Sequence, residues 1–254
     1  MRLLSVLGMS TALGDHLVRH PAHWRELCDP TMGSTRPAAY AVRAGLLEAV
    51  GASAGDALPV ATLSYAESLD ALRVEYRRVL LRLVARDLAH DLPVDDVAAE
   101  LSDLAAGTLD AALAIARAKV QDAAIARLAV IAMGKCGGHE LNYVSDVDVV
   151  FVAEAAQGAD ESRAMRVAGQ LASVLMQACS EQTAEGTIWP VDAALRPEGK
   201  SGPLVRTLAS HQGYYEKWAK TWEFQALLKA RPVAGDLELG ADYIEVVAPM
   251  VWSA

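Results

Sequence analysis

Two short apolar runs, Leu128-Ala129-Val130-Ile131-Ala132-Met133 and Val147-Asp148-Val149-Val150-Phe151-Val152, constrain this chain more than any other feature. Each is too short for a typical buried helix and ends at or near glycine or a polar turn. Both therefore read as buried strands. Between them lies a polar island, Gly134-Lys135-Cys136-Gly137-Gly138-His139-Glu140-Leu141-Asn142-Tyr143-Val144-Ser145-Asp146. Almost everything else reads as helix. The expected fold is α+β and predominantly helical, with helical segments before and after a small sheet.

The 254 residues are 53% hydrophobic and 22% charged, enough for one large core or two modest ones. Residues 1 to about 30 read as short helices closing on a proline corner at Pro30 and Pro37, followed by a helix over 38–50 and a Gly/Ser/Ala linker over 51–55. Ser64 and Glu67 form a capping-box pattern that opens a long helix to about Ala89. Further helices are expected over 95–121, 160–183 and 207–230, and a third strand over Ile188–Leu195. The spacing of four between Tyr214, Trp218 and Trp222 reads as a core stripe on the last of these helices. Boundaries are placed at 1–122 for a helical amino-terminal segment, 123–206 for the α/β core and 207–254 for a carboxy-terminal helical segment.

A net charge of −9 and a pI near 5.1 argue against a surface that tracks nucleic acid. No apolar run is long enough to span a membrane. The start, broken by Gly8 and Gly14, does not read as a signal peptide. Three cysteines without metal-like spacing, Cys28, Cys136 and Cys179, suit the reducing cytoplasm. Met1 runs directly into a helical pattern and the chain stops inside an apolar stretch. A segment of a longer protein is therefore expected.

The chemistry centres on Asp146 and Asp148. Residues two apart on a strand share a face, so these carboxylates project together while Val147, Val149 and Phe151 face the other way. Paired like charges call for a cation, and hard oxygen ligands suit Mg²⁺ or Mn²⁺. Asp192, on the expected third strand, is the best third ligand for metal-assisted displacement at phosphorus. Gly137 and Gly138 allow backbone N–H groups to approach phosphate, and Ser145 can add a hydrogen bond. Arg196, Lys200 and Arg206 surround a Gly-bearing loop suited to an anion. Taken singly, each residue has a plainer role: Asp-x-Asp as a turn or cap, Asp192 as a satisfied polar group, Lys200 and Arg206 as solvated charges, Cys136 as a loop filler.

The stretch GKCGGHELNYVSDVDVVFV, together with WPVDAALRPEGKSGPLVRTLASHQGYYEKWAKTWEFQALLKARPVAGD, resembles the bifunctional glutamine synthetase adenylyltransferase/adenylyl-removing family. A weaker likeness runs through the basic helix around Arg73–Arg78. The resemblance covers nearly the whole chain. It implies a polymerase-β-like nucleotidyltransferase core, with Asp146, Asp148 and Asp192 as metal ligands, Gly137 and Gly138 on nucleotide phosphate, and Arg196 on the family's Leu-Arg-Pro. It also implies glutamine synthetase and the PII signalling protein as partners, with inorganic phosphate and ADP or ATP as small ligands. The opening residues resemble the amino-terminal half, which removes AMP from a tyrosine of glutamine synthetase by phosphorolysis and releases ADP. AMP transfer from ATP would use the same metal site, and a silent regulatory module would bind nucleotide or PII without turnover. The chain departs from the family at Ala194 and Phe224, where many relatives carry arginine. That shifts anion handling toward Lys200 or Lys229.

Overall fold

A computed structural model describes residues 2–29, 33 and 35–253, so Pro30 of the expected corner lies outside the described residues. In chain order come α1 (Arg2–Met9), α2 (Thr11–Arg19), a 3-10 segment (Pro21–Cys28), α3 (Ala39–Ala49), α4 (Tyr65–Asp87) and α5 (Val94–Lys119). Then follow β1 (Ala126–Ala132), the single turn α6 (Gly134–Gly137), β2 (Val147–Ala155), α7 (Glu161–Ser180), β3 (Val191–Asp192) and β4 (Val205–Arg206). The chain continues through α8 (Leu208–Lys217), α9 (Thr221–Leu227), β5 (Arg231–Gly235) and α10 (Leu237–Ser253). The molecule is α+β and predominantly helical, as its sequence implies.

Local signals set the helix starts. Ser64 and Glu67 close a reciprocal capping box on α4, the Ser64 N–H donating to Glu67 at 3.2 Å and the Glu67 N–H to Ser64 Oγ at 3.4 Å. Asp160 caps α7 by accepting the Arg163 N–H at 2.8 Å. Helix α5 is buried on nearly every side from Val97 to Ala116, which explains its continuous Ala/Leu composition. Its buried acids are matched from neighbouring segments: Asp110 to Arg43 at 2.7 Å, Asp103 to Arg36 and Glu100 to Arg86.

Strand β1 lies antiparallel between β2 and β5. The other edge of β2 is paired in parallel by β3 near its start and by β4 further along. The sheet is covered on both faces. Leu128, Val130, Val147, Val149 and Phe151 belong to a large core with α3, α4, α5 and α7, whereas Ala129, Ile131, Val150 and Val152 join a second core with α8, α9 and α10. Double-sided burial is why both runs are apolar throughout but for Asp148. The N-terminal helices form a third, smaller cluster against Leu81 and Ala85 of α4.

The carboxy-terminal segment differs from the expected continuous helix. The chain breaks at Trp218–Lys220 between α8 and α9, leaving Trp218 and Trp222 exposed while Tyr215 is buried. The four-residue spacing is therefore no core stripe. The segment also supplies β5, where Pro232 has no N–H to continue a helix and Gly235 adopts a φ of +75° beside Leu128 O. The third strand contracts to Val191–Asp192. Among the described residues no helix is long and apolar enough to cross a membrane.

Candidate active site

The parallel register of β2 and β3 sets Asp148 directly opposite Asp192, and Asp146 immediately precedes β2. Carboxylate oxygens of all three lie within 4.8 Å of one another. Asp148 shares the sheet face of Val150 and Val152, opposite Val147, Val149 and Phe151. The Asp192 carboxylate is held by the Ala194 N–H, which donates to Oδ1 at 2.7 Å. Burial raises the Asp148 carboxyl above its ordinary pKa, the nearby Asp146 and Asp192 push it the same way, and Lys135 opposes them. Three converging hard oxygens with a net negative field are a donor set that fits a divalent cation of the Mg²⁺ or Mn²⁺ type.

The glycine at the aspartates is Gly134. Its φ is +53°, and a Cβ there would sit 2.9 Å from Asp148 Oδ2, so the chain passes closer to the carboxylate than any side chain allows. Gly137 ends α6 and Gly138 caps it. Their N–H groups already donate to Met133 O and Gly134 O at 2.9 and 3.1 Å. A Cβ on Gly137 would lie 2.0 Å from Lys229 O and 2.6 Å from Ala132 O, so this glycine lets two backbone segments touch. Arg231 completes that junction by donating to Cys136 O and Gly137 O at 2.9 and 3.0 Å.

Lys135, not singled out in the sequence, is a cation that acts on Asp148. Its Nζ donates to Asn142 Oδ1 at 3.0 Å and lies 3.5 Å from Ser145 Oγ, so Ser145 sits beside Asp146 as part of a Lys135–Asn142 network. Its position after a strand and a tight glycine was the one signal available.

Asp146, Asp192, Arg196 and Lys200 line one open cleft of about 670 Å³, within the roughly 300–1,000 Å³ of small-molecule sites. Lys200 is exposed on the turn Gly199–Ser201. Arg196 is largely spent on its own loop, donating to Ala193 O at 2.7 Å, Gly202 O at 3.1 Å and Pro203 O at 3.1 Å. These bonds hold the loop on which Lys200 sits. Arg206 pairs with Glu198 and donates to Ser210 Oγ at 3.1 Å. Lys229 pairs with Glu140.

Other reactive types are held inert. The Cys136 thiol is buried and pushed up to about 11. His139 has its Nδ1 3.7 Å from Asp103, and burial lowers its pKa. Arg73 is fully buried and donates to Gly186 O, Leu69 O and Ala178 O at 2.7, 2.9 and 3.0 Å, and to Glu181 O. The basic helix thus anchors the loop that leads to β3.

The profile of the glutamate-ammonia ligase adenylyltransferase family matches residues 1–245. Over its whole length the chain is 59% identical to a bifunctional glutamine synthetase adenylyltransferase/adenylyl-removing enzyme of Streptomyces avermitilis, 24% of which it covers. Identity is 56% to the protein of the same description from Streptomyces coelicolor and 49% to that of Mycobacterium tuberculosis, again over 100% of this chain and 24% of each relative. The chain spans about a quarter of the length of these relatives. The profile match over residues 1–245 and the sequence identity across the entire chain establish that it belongs to the glutamate-ammonia ligase adenylyltransferase family.

Proposed function

We propose that this chain is an adenylyl-removing unit: it cleaves AMP from the modified tyrosine of glutamine synthetase by metal-dependent phosphorolysis and releases ADP. The observation that carries this is the convergence of Asp146, Asp148 and Asp192 at a cleft that Arg196 and Lys200 also line. Direction is argued from the likeness of the opening residues to the amino-terminal half. A polymerase-β-like core is the fold reading that accompanies it.

Mg²⁺ or Mn²⁺ held by the three aspartates would neutralise developing charge and polarise the phosphoryl oxygens. The chain's own residues orient the reactants. Lys200 in the cleft and Lys135 beside Asp148 supply positive charge for the incoming phosphate and the nucleotide phosphate. Arg196 holds the loop that presents Lys200. An oxygen of inorganic phosphate forms a bond to the adenylyl phosphorus as the bond from phosphorus to the tyrosine oxygen breaks. The bonding pair leaves on the phenolate, which takes up a proton, and the new phosphoanhydride is ADP. Phosphate is already anionic near neutrality, so no strong base is required of the chain. The PII protein enters as a regulatory partner, and the reaction belongs in the cytoplasm with its substrates.

Two incubations test this reading. Adenylylated glutamine synthetase with phosphate should yield ADP, dependent on divalent metal and lost in Asp146→Asn. Unmodified glutamine synthetase with ATP should remain unmodified. AMP incorporation in the second arm would reverse the direction, and inactivity in both would leave a regulatory module.

A further inference from the structure

A second cluster of ligand-type side chains joins the N-terminal helices to the loop after α7. His16 lies in the last turn of α2, His20 caps that helix and His23 belongs to the 3-10 segment that follows. A spacing of four puts His16 and His20 on one face. Glu185 arrives from the tight turn between Thr183 and Gly186, 165 positions along the chain from His20. His16, His20 and Glu185 each offer a ligand atom within 4.8 Å of the other two. His23 flanks the group, its Nδ1 2.9 Å from His16 Nε2 and its ring stacked on His20 with centroids 5.6 Å apart, and a small rotation would bring it in as a fourth ligand. His16 is fully buried, and its Nδ1 has no hydrogen-bond partner.

We propose that His16, His20, His23 and Glu185 form a binding site for a transition-metal ion of the Zn²⁺ class, separate from the aspartates. Imidazole nitrogens with one carboxylate are a zinc-type donor set, whereas the all-oxygen aspartate site selects harder ions. Bonds of about 2.0–2.1 Å place neighbouring tetrahedral ligand atoms about 3.4 Å apart. The two close contacts, His16–His23 at 2.9 Å and His20–Glu185 at 3.0 Å, would therefore open slightly, and the wider separations would close by side-chain rotation. Four protein ligands make a closed, structural site. It would tie the N-terminal helices to a loop that reaches Asp192 only seven residues after Glu185, so the ion would brace the segment carrying the third aspartate. The competing account is a metal-free hydrogen-bonded chain of neutral imidazoles. Arg19 and Arg77, which donate to Ala184 O and Thr187 O at 2.6 and 2.9 Å, favour that account by placing positive charge nearby. The crowding of three rings and a carboxylate around one point favours the ion.

The test is a zinc titration of the 254-residue chain, stripped with chelator and competed against a chromophoric chelator in excess Mg²⁺. Cobalt substitution then reports geometry through its visible spectrum. One tight zinc equivalent that Mg²⁺ does not displace is expected, with a tetrahedral cobalt spectrum. Affinity should fall in His20→Gln and in Glu185→Gln by at least the roughly 10–100-fold that even outer-shell partners command, and should be unchanged in Asp146→Asn. Both positions are partly exposed, and circular dichroism checks their folding; His23→Gln serves if either variant unfolds. No tight equivalent on the unmodified chain, unchanged affinity in these variants, or a loss confined to Asp146→Asn would overturn the proposal. None of these readouts depends on adenylyl removal.

Discussion

Clustering three carboxylates should make the metal-free protein less stable than it could be, and Asp148→Asn measures by how much. At the 4.8 Å limit of the cluster, a pair of unit charges repels by about 0.9 kcal/mol in water and about 3.5 kcal/mol at an effective permittivity of 20. Asp146 is exposed and Lys135 opposes the repulsion, so the lower part of that range applies. Removing one charge at nearly constant shape should therefore stabilise the metal-free chain by about 1–2 kcal/mol, or roughly 2–8 °C in Tm for a chain of this size. A raised carboxyl pKa means that the folded state holds this proton more tightly than the unfolded state. Folding stability from this group is then lost as pH rises from its ordinary 3.8 through the folded value. The advantage of asparagine should be full near neutrality and disappear in acid. With Mn²⁺ at about 100 times its Kd, the unmodified chain gains about 2.7 kcal/mol, and a variant missing one of three ligands gains much less. The order of melting temperatures should thus reverse between EDTA and saturating Mn²⁺. Thermal melts followed by circular dichroism in both conditions decide it. A variant less stable than the unmodified chain in EDTA, or equal stabilisation of both by Mn²⁺, would refute the electrostatic account of this site.

Gly137→Ala forces a Cβ to 2.0 Å from Lys229 O and should lower stability by about 3 kcal/mol or more, whereas Gly138→Ala meets only the movable Lys229 side chain at 2.9 Å and should be much milder. Equal melting temperatures for the two variants would contradict the packing role assigned to Gly137. Arg73→Met removes the buried guanidinium that four carbonyls share, of which Gly186 O keeps the Thr183 N–H, so a loss of about 3 kcal/mol is expected, read as a lowered urea midpoint. Lys200→Ala should raise the phosphate concentration for half-saturation of ADP release by about tenfold, close to 1.4 kcal/mol, without changing the metal requirement. An unchanged phosphate response would remove Lys200 from the anion site.

These outcomes bear on why some of the molecule was legible in its sequence and some was not. Ser64 with Glu67, and the runs at 128–133 and 147–152, announce themselves because the interactions that form them lie within a few residues or along one strand. Asp146 and Asp148 share a face for the same local reason. Asp192 joins them through a two-residue parallel pairing, so its strand existed only in outline until β2 was there to receive it. What stayed hidden depends on distant partners. Neither the approach of Lys229 O to Gly137 nor the three carbonyls of its own loop that Arg196 holds can be read from their neighbours in sequence. Strand β5 is five residues with a proline, and it is a strand because the free edge of β1 has donors and acceptors to fill. The aromatic spacing at Tyr214, Trp218 and Trp222 fails because the helix ends at Lys217, before the pattern can act. Glycines and arginines are thus the residues whose surroundings a sequence reading least reveals, since each is defined by what approaches it. Carboxylates clustered by strand register are the more secure guide. Their mutual repulsion is a property of position alone, and only a bound cation or a change of charge relieves it.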